Sequence, residues 1–464
     1  MREIVTQPPS PSQDPSHVHD VLPSPAYAVL QSPATLVKTP SHDASTVLDI
    51  KETPRPPKSF CQKLLPALSS AFVTSIAYID PGSMASNIEG GAEYGLTLLW
   101  VILCSSLIAM LFQILSAKLG LASGKSLPQV TRDAWPNWVV YVCWFVAEVS
   151  VVTCDVSEFI GAAVAYKLLF GIPLAWGGVL TGFTTLALLL VHNAKAAYFE
   201  AAIFAFVSMI VVCYIVETAL SSVDWPQVAY HTFVPSFDGP GSVVNAVGIV
   251  GATVTPYAIF LHSELTKGRH ERGVAGETIL PPLKFEIAGI AIALGVAAIV
   301  NIAMLTMSAS TFYVAGYADL DVMENAYKTL EPLLGKAASV IFGVGLLAAG
   351  ISSSAVGTLA GQVIMGGFTS FHLSMWLRWA ITVTPCLVIL FCGFSPTSVL
   401  MVCNVVGSFC VPFCLVPVVV FTSQRSIMGE WTNSTFMVCL TSFLTLFVIG
   451  LDVYLVVTLF LPST

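Results

Sequence analysis

The sequence between residues 71 and 90 is AFVTSIAYIDPGSMASNIEG, an apolar segment with a break in its middle. The run Ala71 to Ile79 reaches Asp80-Pro-Gly-Ser83 and then resumes as a second helical stretch. Pro lacks a backbone N–H and Gly frees the backbone, so carbonyls lose partners that hydrocarbon cannot replace. A carboxylate at this depth is costly unless it lines a cavity or meets a cation. The segment therefore predicts an interrupted membrane helix that binds a cation.

The composition is that of a membrane protein. Hydrophobic residues make up 55% of the 464 residues and charged residues 10%, whereas soluble domains carry about a quarter charged residues. Eleven apolar stretches are long enough to span a bilayer. They lie near 63–91, 95–117, 137–166, 173–191, 197–220, 243–266, 284–312, 337–366, 375–395, 397–422 and 436–460. The sequence thus predicts an all-α, multi-pass membrane protein.

Two regions differ in composition. Residues 1–58 are rich in Pro, Ser and Thr and lack the apolar core of a signal peptide, so they are expected to form a disordered cytosolic tail. Residues 59–464 are expected to form the eleven-helix transmembrane transporter domain. Lys and Arg concentrate in the loops that a cytosolic N-terminus places inside, which fits the positive-inside rule. The 11 cysteines are scattered, which predicts neither disulfides nor a zinc site.

The sixth span contains a second break. The apolar stretch Gly248 to Val254 is interrupted by Thr255-Pro-Tyr257 before the helical pattern resumes over Ala258 to Leu265. Two interrupted helices five spans apart indicate an inverted repeat of five plus five helices, with broken helices 1 and 6. The eleventh helix then lies outside the repeat.

Oxygen donors converge if the two breaks meet at the middle of the bilayer. They are the Asp80 carboxylate, the Ser83 and Thr255 hydroxyls, the Ala252 carbonyl (left open by the proline four residues later) and the Asn404 amide. Hard oxygen donors suit Mg²⁺ or Mn²⁺, and no thioether or imidazole is present to favour softer metals. The alternatives are a helix-capping carboxylate and hydroxyls that bond back to their own helices.

The third span carries an acidic stripe. Glu148, Asp155 and Glu158 are spaced by seven and three residues, which places them on nearly one helical face. Such a stripe predicts a proton or ion pathway; the alternative is pairing with a buried cation, Lys118 or Arg378. Histidine is the side chain that can change charge near neutral pH, so the sixth-span His262 is a candidate proton relay, and its alternative role is a hydrogen bond between helices.

Five motifs resemble those of the Nramp family of divalent-metal transporters, and the likeness covers about residues 63 to 460. They are Ile76–Ser83, Gln113–Gly120, Asp155–Gly161, Leu359–Gln362 and Pro412-Phe413. The resemblance implies the LeuT-type fold, consistent with the two broken helices.

The chain departs from the family at four positions. Ser83 replaces an Asn, Asn404 a longer Gln, and Thr255 a Met that the resemblance identifies as a metal-ligating sulfur. This pattern is closest to the Nramp-related magnesium transporters and is shared in part by plant aluminium-transporting relatives. Tyr257 replaces the family's His, which argues against proton coupling, although other titratable residues of the pathway remain.

The function expected first is a secondary transporter of hard divalent cations, Mg²⁺ and Mn²⁺, working by alternating access. The alternatives are a proton-coupled Mn²⁺/Fe²⁺ symporter of the Nramp type and, from another class, an Nramp-like signalling membrane protein. No nucleophile-and-base pair or cofactor loop is present, so no enzyme and no cofactor are expected, the metal being the cargo. The expected partners are metal ions and the bilayer, without nucleic acid, and a monomer is expected.

Overall fold

The computed structural model describes residues 60–270, 280–317, 324–371 and 373–460. Within these ranges every regular element is a helix and no strand occurs. The predicted tail, residues 1–58, lies outside the described residues.

The first span is broken where the sequence predicts it. Helix α1 (Phe60–Ser75) continues as a short 3-10 turn (Ile76–Tyr78), and α2 (Pro81–Tyr94) begins after a bend of 52°. Asp80 is extended, with φ −87° and ψ 166°, and its side chain accepts a hydrogen bond from the Ser83 N–H at 2.8 Å. Pro81 stands at the first helical position, where a missing N–H costs no helical hydrogen bond. The Asp80 cap and Pro81 therefore separate the first helix from the second.

The remaining helices follow in chain order. The first group is α3 (Leu99–Ser123), α4 (Leu127–Ala134), α5 (Asn137–Phe170), α6 (Leu174–Ala194), α7 (Ala196–Leu220) and α8 (Trp225–Phe233). The second group is α9 (Gly239–Thr253), α10 (Pro256–His270), α11 (Leu280–Ser308), α12 (Glu324–Leu334), α13 (Lys336–Thr369), α14 (Met375–Phe391), α15 (Pro396–Cys410), α16 (Pro412–Ser423), α17 (Arg425–Met428) and α18 (Thr435–Phe460).

Membrane spans recur along the described ranges at the predicted places. Nine helical segments are long and apolar enough to cross a bilayer, and the bent first pair makes a tenth. Helix α14 has 17 residues and is the shorter apolar helix at the position of the predicted ninth span. Large apolar side chains such as Phe145, Phe183 and Phe204 are exposed on the outer surface of the spans, as expected for helices that face lipid.

The sixth span is interrupted less sharply than the first. Helix α9 ends at Thr253, α10 begins at Pro256, and the two together form a single span over Gly239–Gly268. The break was expected over Thr255-Pro-Tyr257 but lies at Val254 and Thr255, since Pro256 starts the second helix without needing an N–H partner.

Small residues let α5 and α13 pack closely beside the first break. A Cβ on Gly161 of α5 would overlap the ring of Pro81 in α2. A Cβ on Gly350 of α13 would lie 2.8 Å from the Glu158 carbonyl of α5. Because small residues allow close helix packing in membranes, α5 and α13 can lie directly against the break.

Candidate metal site at the helix breaks

Asp80 is buried at the break, with 6% of its surface exposed. Its Oδ1 accepts the hydrogen bond from the Ser83 N–H, so the capping role foreseen as an alternative is real. Asp80 also lines an internal cavity, and a carboxylate in that place can cap a helix and face an ion at the same time. The capping role therefore does not exclude the predicted role in metal binding.

The cavity lies between the two breaks and has a volume of about 20 Å³, space for about one water-sized group. Four regions of the fold form its wall: the first break, the middle of α5, the break of the sixth span, and α15. The lining residues are Asp80, Thr153, Cys154, Ser157, Gly251, Ala252, Thr255, Pro256, Cys403, Asn404 and Gly407. Four of the five predicted metal-site residues are thus brought together, and the fifth, Ser83, lies beside the cavity.

Hydroxyl groups join the two broken spans. Ser83 Oγ donates to the Ala252 carbonyl at 3.3 Å, and Thr255 Oγ1 donates to the Ala77 carbonyl at 3.0 Å. Thr255 Oγ1 also lies 3.4 Å from the Ala252 carbonyl of its own span. The Ala252 carbonyl, which Pro256 leaves without a backbone donor, therefore accepts a hydrogen bond from the Ser83 hydroxyl instead, with Thr255 Oγ1 close by.

Asn404 projects from α15 toward the first span. Its Nδ2 donates to Ser86 Oγ at 3.1 Å. The Oδ1 atom lies 2.9 Å from the place that a Cβ on Gly82 would occupy. The amide therefore reaches the break from the opposite wall of the cavity.

The sequence interpretation missed two thiols. Cys154 directly precedes Asp155, and Cys403 directly precedes Asn404; both cysteines line the cavity. The expectation of oxygen atoms alone is corrected, because sulfur is also present in the wall. Their positions next to two predicted site residues were the available signal. Among the described residues, no three His, Cys, Asp or Glu side chains converge into a preformed metal cage.

The acidic stripe of α5 divides into two parts. Glu148 accepts a hydrogen bond at 2.5 Å from Arg378, a buried guanidinium with 1% exposed surface. This is the ion pair foreseen as the alternative to a pathway. Gly361 of α13 makes room for it, since a Cβ there would overlap the guanidinium. Lys118, the other candidate partner, instead donates to Asn433 Oδ1 at 2.6 Å.

The second part of the stripe lies beside the cavity. Asp155 and Glu158 are fully buried, and Ser157 between them lines the cavity wall. The Tyr257 hydroxyl donates to Glu158 Oε1 at 3.0 Å, which links α5 to the start of α10. Gly357 of α13 leaves space for the Asp155 carboxylate, because a Cβ there would overlap it.

His262 lies away from the cavity and bridges helices. Its Nδ1 is 2.6 Å from Gln113 Oε1, and Gln113 Nε2 donates to the Tyr78 hydroxyl at 2.7 Å. The Nε2 atom lies 3.7 Å from Glu286 Oε2. His262 therefore has the bridging role foreseen as its alternative, in a network that ends at the 3-10 turn of the first span.

Comparison with known proteins identifies the family. A sequence profile described as Nramp, natural resistance-associated macrophage protein-like, matches residues 71–458. The chain belongs to the Nramp family. This Nramp chain is 44% identical over 394 residues to the divalent metal cation transporter MntH of Deinococcus radiodurans, covering 85% of this chain and 90% of the relative. It is 41% identical over 395 residues to MntH of Yersinia pestis, covering 85% and 95%.

Comparison with solved structures identifies the same kind of fold. The Eremococcus coleocola manganese transporter, in complex with an aromatic bis-isothiourea compound, matches with a TM-score of 0.78 and 26% identity, over 90% of this chain and 93% of that chain. The nucleobase-cation-symport-1 transporter Mhp1 shares the fold alone, with a TM-score of 0.57, 12% identity and 80% coverage of each chain. These matches confirm the predicted all-α, LeuT-type membrane fold. The relatives are named transporters, in agreement with the expectation that this Nramp protein is not an enzyme.

Proposed function

We propose that this Nramp protein carries divalent metal cations across a membrane by alternating access, binding one ion in the cavity between the two breaks. The observation that carries the proposal is the buried Asp80 carboxylate, which lines a cavity of about 20 Å³ where both broken spans meet. Membership in a family whose named relatives transport divalent metal cations supports it.

Each predicted metal residue has a proposed role. Asp80 supplies the negative charge, and Thr255 and Asn404 supply neutral oxygens from opposite walls. The Ala252 carbonyl becomes a ligand when the Ser83 hydroxyl that donates to it turns away. Ser83 thus controls whether this carbonyl is free to bind the ion. Because the ligands are mainly hard oxygens, the proposed cargoes are Mn²⁺ and Mg²⁺. Mn²⁺ comes first, since a structural relative is named a manganese transporter.

A second candidate is proton-coupled Mn²⁺/Fe²⁺ symport. The observation that favours it is the pair of buried carboxylates, Asp155 and Glu158, on either side of a cavity-lining residue, with Tyr257 bonded to Glu158. In this candidate the pair relays protons, while Glu148 and His262 extend the pathway along α5 and α10. Recording the lumenal pH of proteoliposomes during Mn²⁺ uptake tests it: acidification favours symport, and a constant pH favours uncoupled transport.

The orientation and domain division are also proposals. The distribution of Lys and Arg supports a cytosolic N-terminus, with residues 1–58 as a cytosolic tail and residues 59–464 as a monomeric transporter domain. An epitope placed before residue 58 is expected to bind antibody only after the membrane is permeabilised. Binding to intact cells would contradict this orientation.

The test of the proposed function is the variant Asp80→Asn. An amide oxygen can still accept the Ser83 hydrogen bond, so the helix start is kept while the charge is lost. Mn²⁺ and Mg²⁺ uptake into proteoliposomes is expected to fall by at least about 100-fold. Asp133→Asn is the matched control, because Asp133 of α4 pairs with Lys125 at 2.6 Å and both side chains are exposed. Wild-type uptake by Asp80→Asn would refute the proposal.

A further inference from the structure

A carboxylate outside the repeat is buried in the eleventh span. Helix α18 is apolar, and only 22% of its most apolar stretch is buried. Asp452 of this helix nevertheless has only 4% of its surface exposed. An acidic side chain in a membrane helix is costly and usually faces a functional part of the protein.

Asp452 contacts α15 through one side chain. Ser408 Oγ donates a short hydrogen bond to Asp452 Oδ1, and Ser408 is buried as well. Within the described part of the chain, Asp452 Oδ2 has no hydrogen-bond partner. A serine hydroxyl in a membrane helix commonly bonds back to its own helix, so the carboxylate directs Ser408 away from that geometry.

Ser408 in turn packs against the sixth span. A Cβ on Gly251 of α9 would lie 2.9 Å from Ser408 Cβ and 3.0 Å from Ser408 Oγ. Gly251 and its neighbour Ala252 both line the cavity. Asn404 lies one helical turn before Ser408 and lines the same cavity. The contact between Ser408 and Gly251 therefore joins α15 and α9 within one helical turn of residues that line the cavity.

We infer that Asp452 is a positioning residue for the metal site. By holding the Ser408 hydroxyl, it seats α15 against Gly251 and so fixes the distance between Asn404 and the Ala252 carbonyl. The eleventh helix, which lies outside the repeat, thereby contributes to ion affinity without touching the ion. This inference rests on the proposed function.

The test measures the Mn²⁺ dissociation constant of the purified full-length protein by calorimetry, together with the KM of uptake. Asp452→Ala and Ser408→Ala are each expected to raise both constants about tenfold, as the loss of a hydrogen bond to a charged group would. The double variant is expected to match either single variant, because both changes remove the same contact. Asp452→Asn is expected to stay within about twofold of wild type, since its amide oxygen can accept the same bond.

Thr445→Val is the matched control. Thr445 lies seven residues earlier on the same face of α18 and is buried, and its hydroxyl donates to the Thr441 carbonyl of its own helix at 2.8 Å, its one hydrogen bond among the described residues. All constants are measured on the monodisperse fraction, so a lower yield of folded protein does not affect them.

Three results would overturn the inference: Asp452→Ala binding Mn²⁺ like Thr445→Val, additive effects of the Asp452 and Ser408 changes, or Asp452→Asn behaving like Asp452→Ala. In each case wild type and Thr445→Val still bind Mn²⁺, so the proposed function survives. Folded wild-type protein that binds no Mn²⁺ would instead refute the proposed function, and this inference with it.

Discussion

Gly82→Ala places a methyl group inside the proposed metal site. An ideal Cβ on Gly82 lies 2.9 Å from Asn404 Oδ1 and 3.1 Å from Ser157 Oγ. It also lies 3.3 Å from Asp80 Oδ2. All three atoms belong to residues that line the cavity. The substitution therefore changes the surroundings of the ion rather than the charge of any ligand.

The size of the effect follows from these distances. Ordinary contacts with a Cβ begin near 3.4 Å, so the Asn404 amide must withdraw by about 0.5 Å. Metal–ligand distances tolerate changes of only about 0.2 Å. Mn²⁺ affinity is therefore expected to fall at least about tenfold, or about 1.4 kcal/mol. The fold should survive, because overpacking costs about 1–3 kcal/mol and Ala in a helix recovers about 0.5–1 kcal/mol relative to Gly.

The assay compares Mn²⁺ binding by calorimetry and uptake into proteoliposomes, with a thermal-shift measurement on the same preparations. Gly248→Ala is the matched control, since this glycine lies in α9 and a Cβ there meets nothing within 4 Å. Gly82→Ala with wild-type affinity and KM would refute the placement of the ion between Asp80 and Asn404. Equal losses in both variants would show that the effect is not local to the cavity.

Three further predictions concern side chains that line the cavity and the ion pair between Arg378 and Glu148. Thr255→Met adds a thioether to the cavity and is expected to raise Cd²⁺ or Fe²⁺ uptake relative to Mg²⁺, measured by competition in proteoliposomes. Cys154→Ser with Cys403→Ser removes both thiols and is expected to weaken Cd²⁺ binding at least about tenfold more than Mn²⁺ binding, measured by calorimetry. Arg378→Met leaves Glu148, whose side chain is only 15% exposed, without its cation and is expected to lower the free energy of unfolding by about 3 kcal/mol, measured by chemical denaturation.

Each of these has a result that contradicts it. Unchanged ion preference in Thr255→Met would defeat the selectivity argument, with Thr253→Met on the same span as control. Parallel loss of Cd²⁺ and Mn²⁺ binding would mean that the thiols of Cys154 and Cys403 do not contact the ion. Wild-type stability of Arg378→Met would show that the Glu148 carboxylate is not held by the ion pair.

The spans and their breaks were predictable because their causes are local. A helix that spans a bilayer requires about 20 apolar residues, and few other structural elements contain an apolar run of that length. Pro81 and Asp80 mark the first break by removing an N–H and supplying a cap, both of which are visible in the sequence. The exact place of the second break was less certain, since Pro256 can either end one helix or begin the next.

The contacts across the site were harder to predict. Ser83 and Ala252 are 169 residues apart, and only the fold determines which hydroxyl reaches which carbonyl. The cysteines next to Asp155 and Asn404 were visible, but a helix turns 100° per residue, so the neighbour of a predicted ligand does not usually share its face. Asp452 lies in a span without a break and has no motif around it. Its role depends on a contact that sequence spacing does not encode.

The hydrogen bond that Thr255 makes to the other broken span is compatible with its proposed role as a metal ligand. A threonine hydroxyl has one proton and two lone pairs, so Thr255 can donate to the Ala77 carbonyl and still present a lone pair to a cation. The same bond that ties the two breaks together therefore orients the oxygen toward the cavity. An ion that binds there strengthens the hydroxyl as a donor, which tightens the contact between the first and sixth spans. In the proposed mechanism of alternating access, ion binding and closure of the two breaks are thus favoured by the same hydrogen bond.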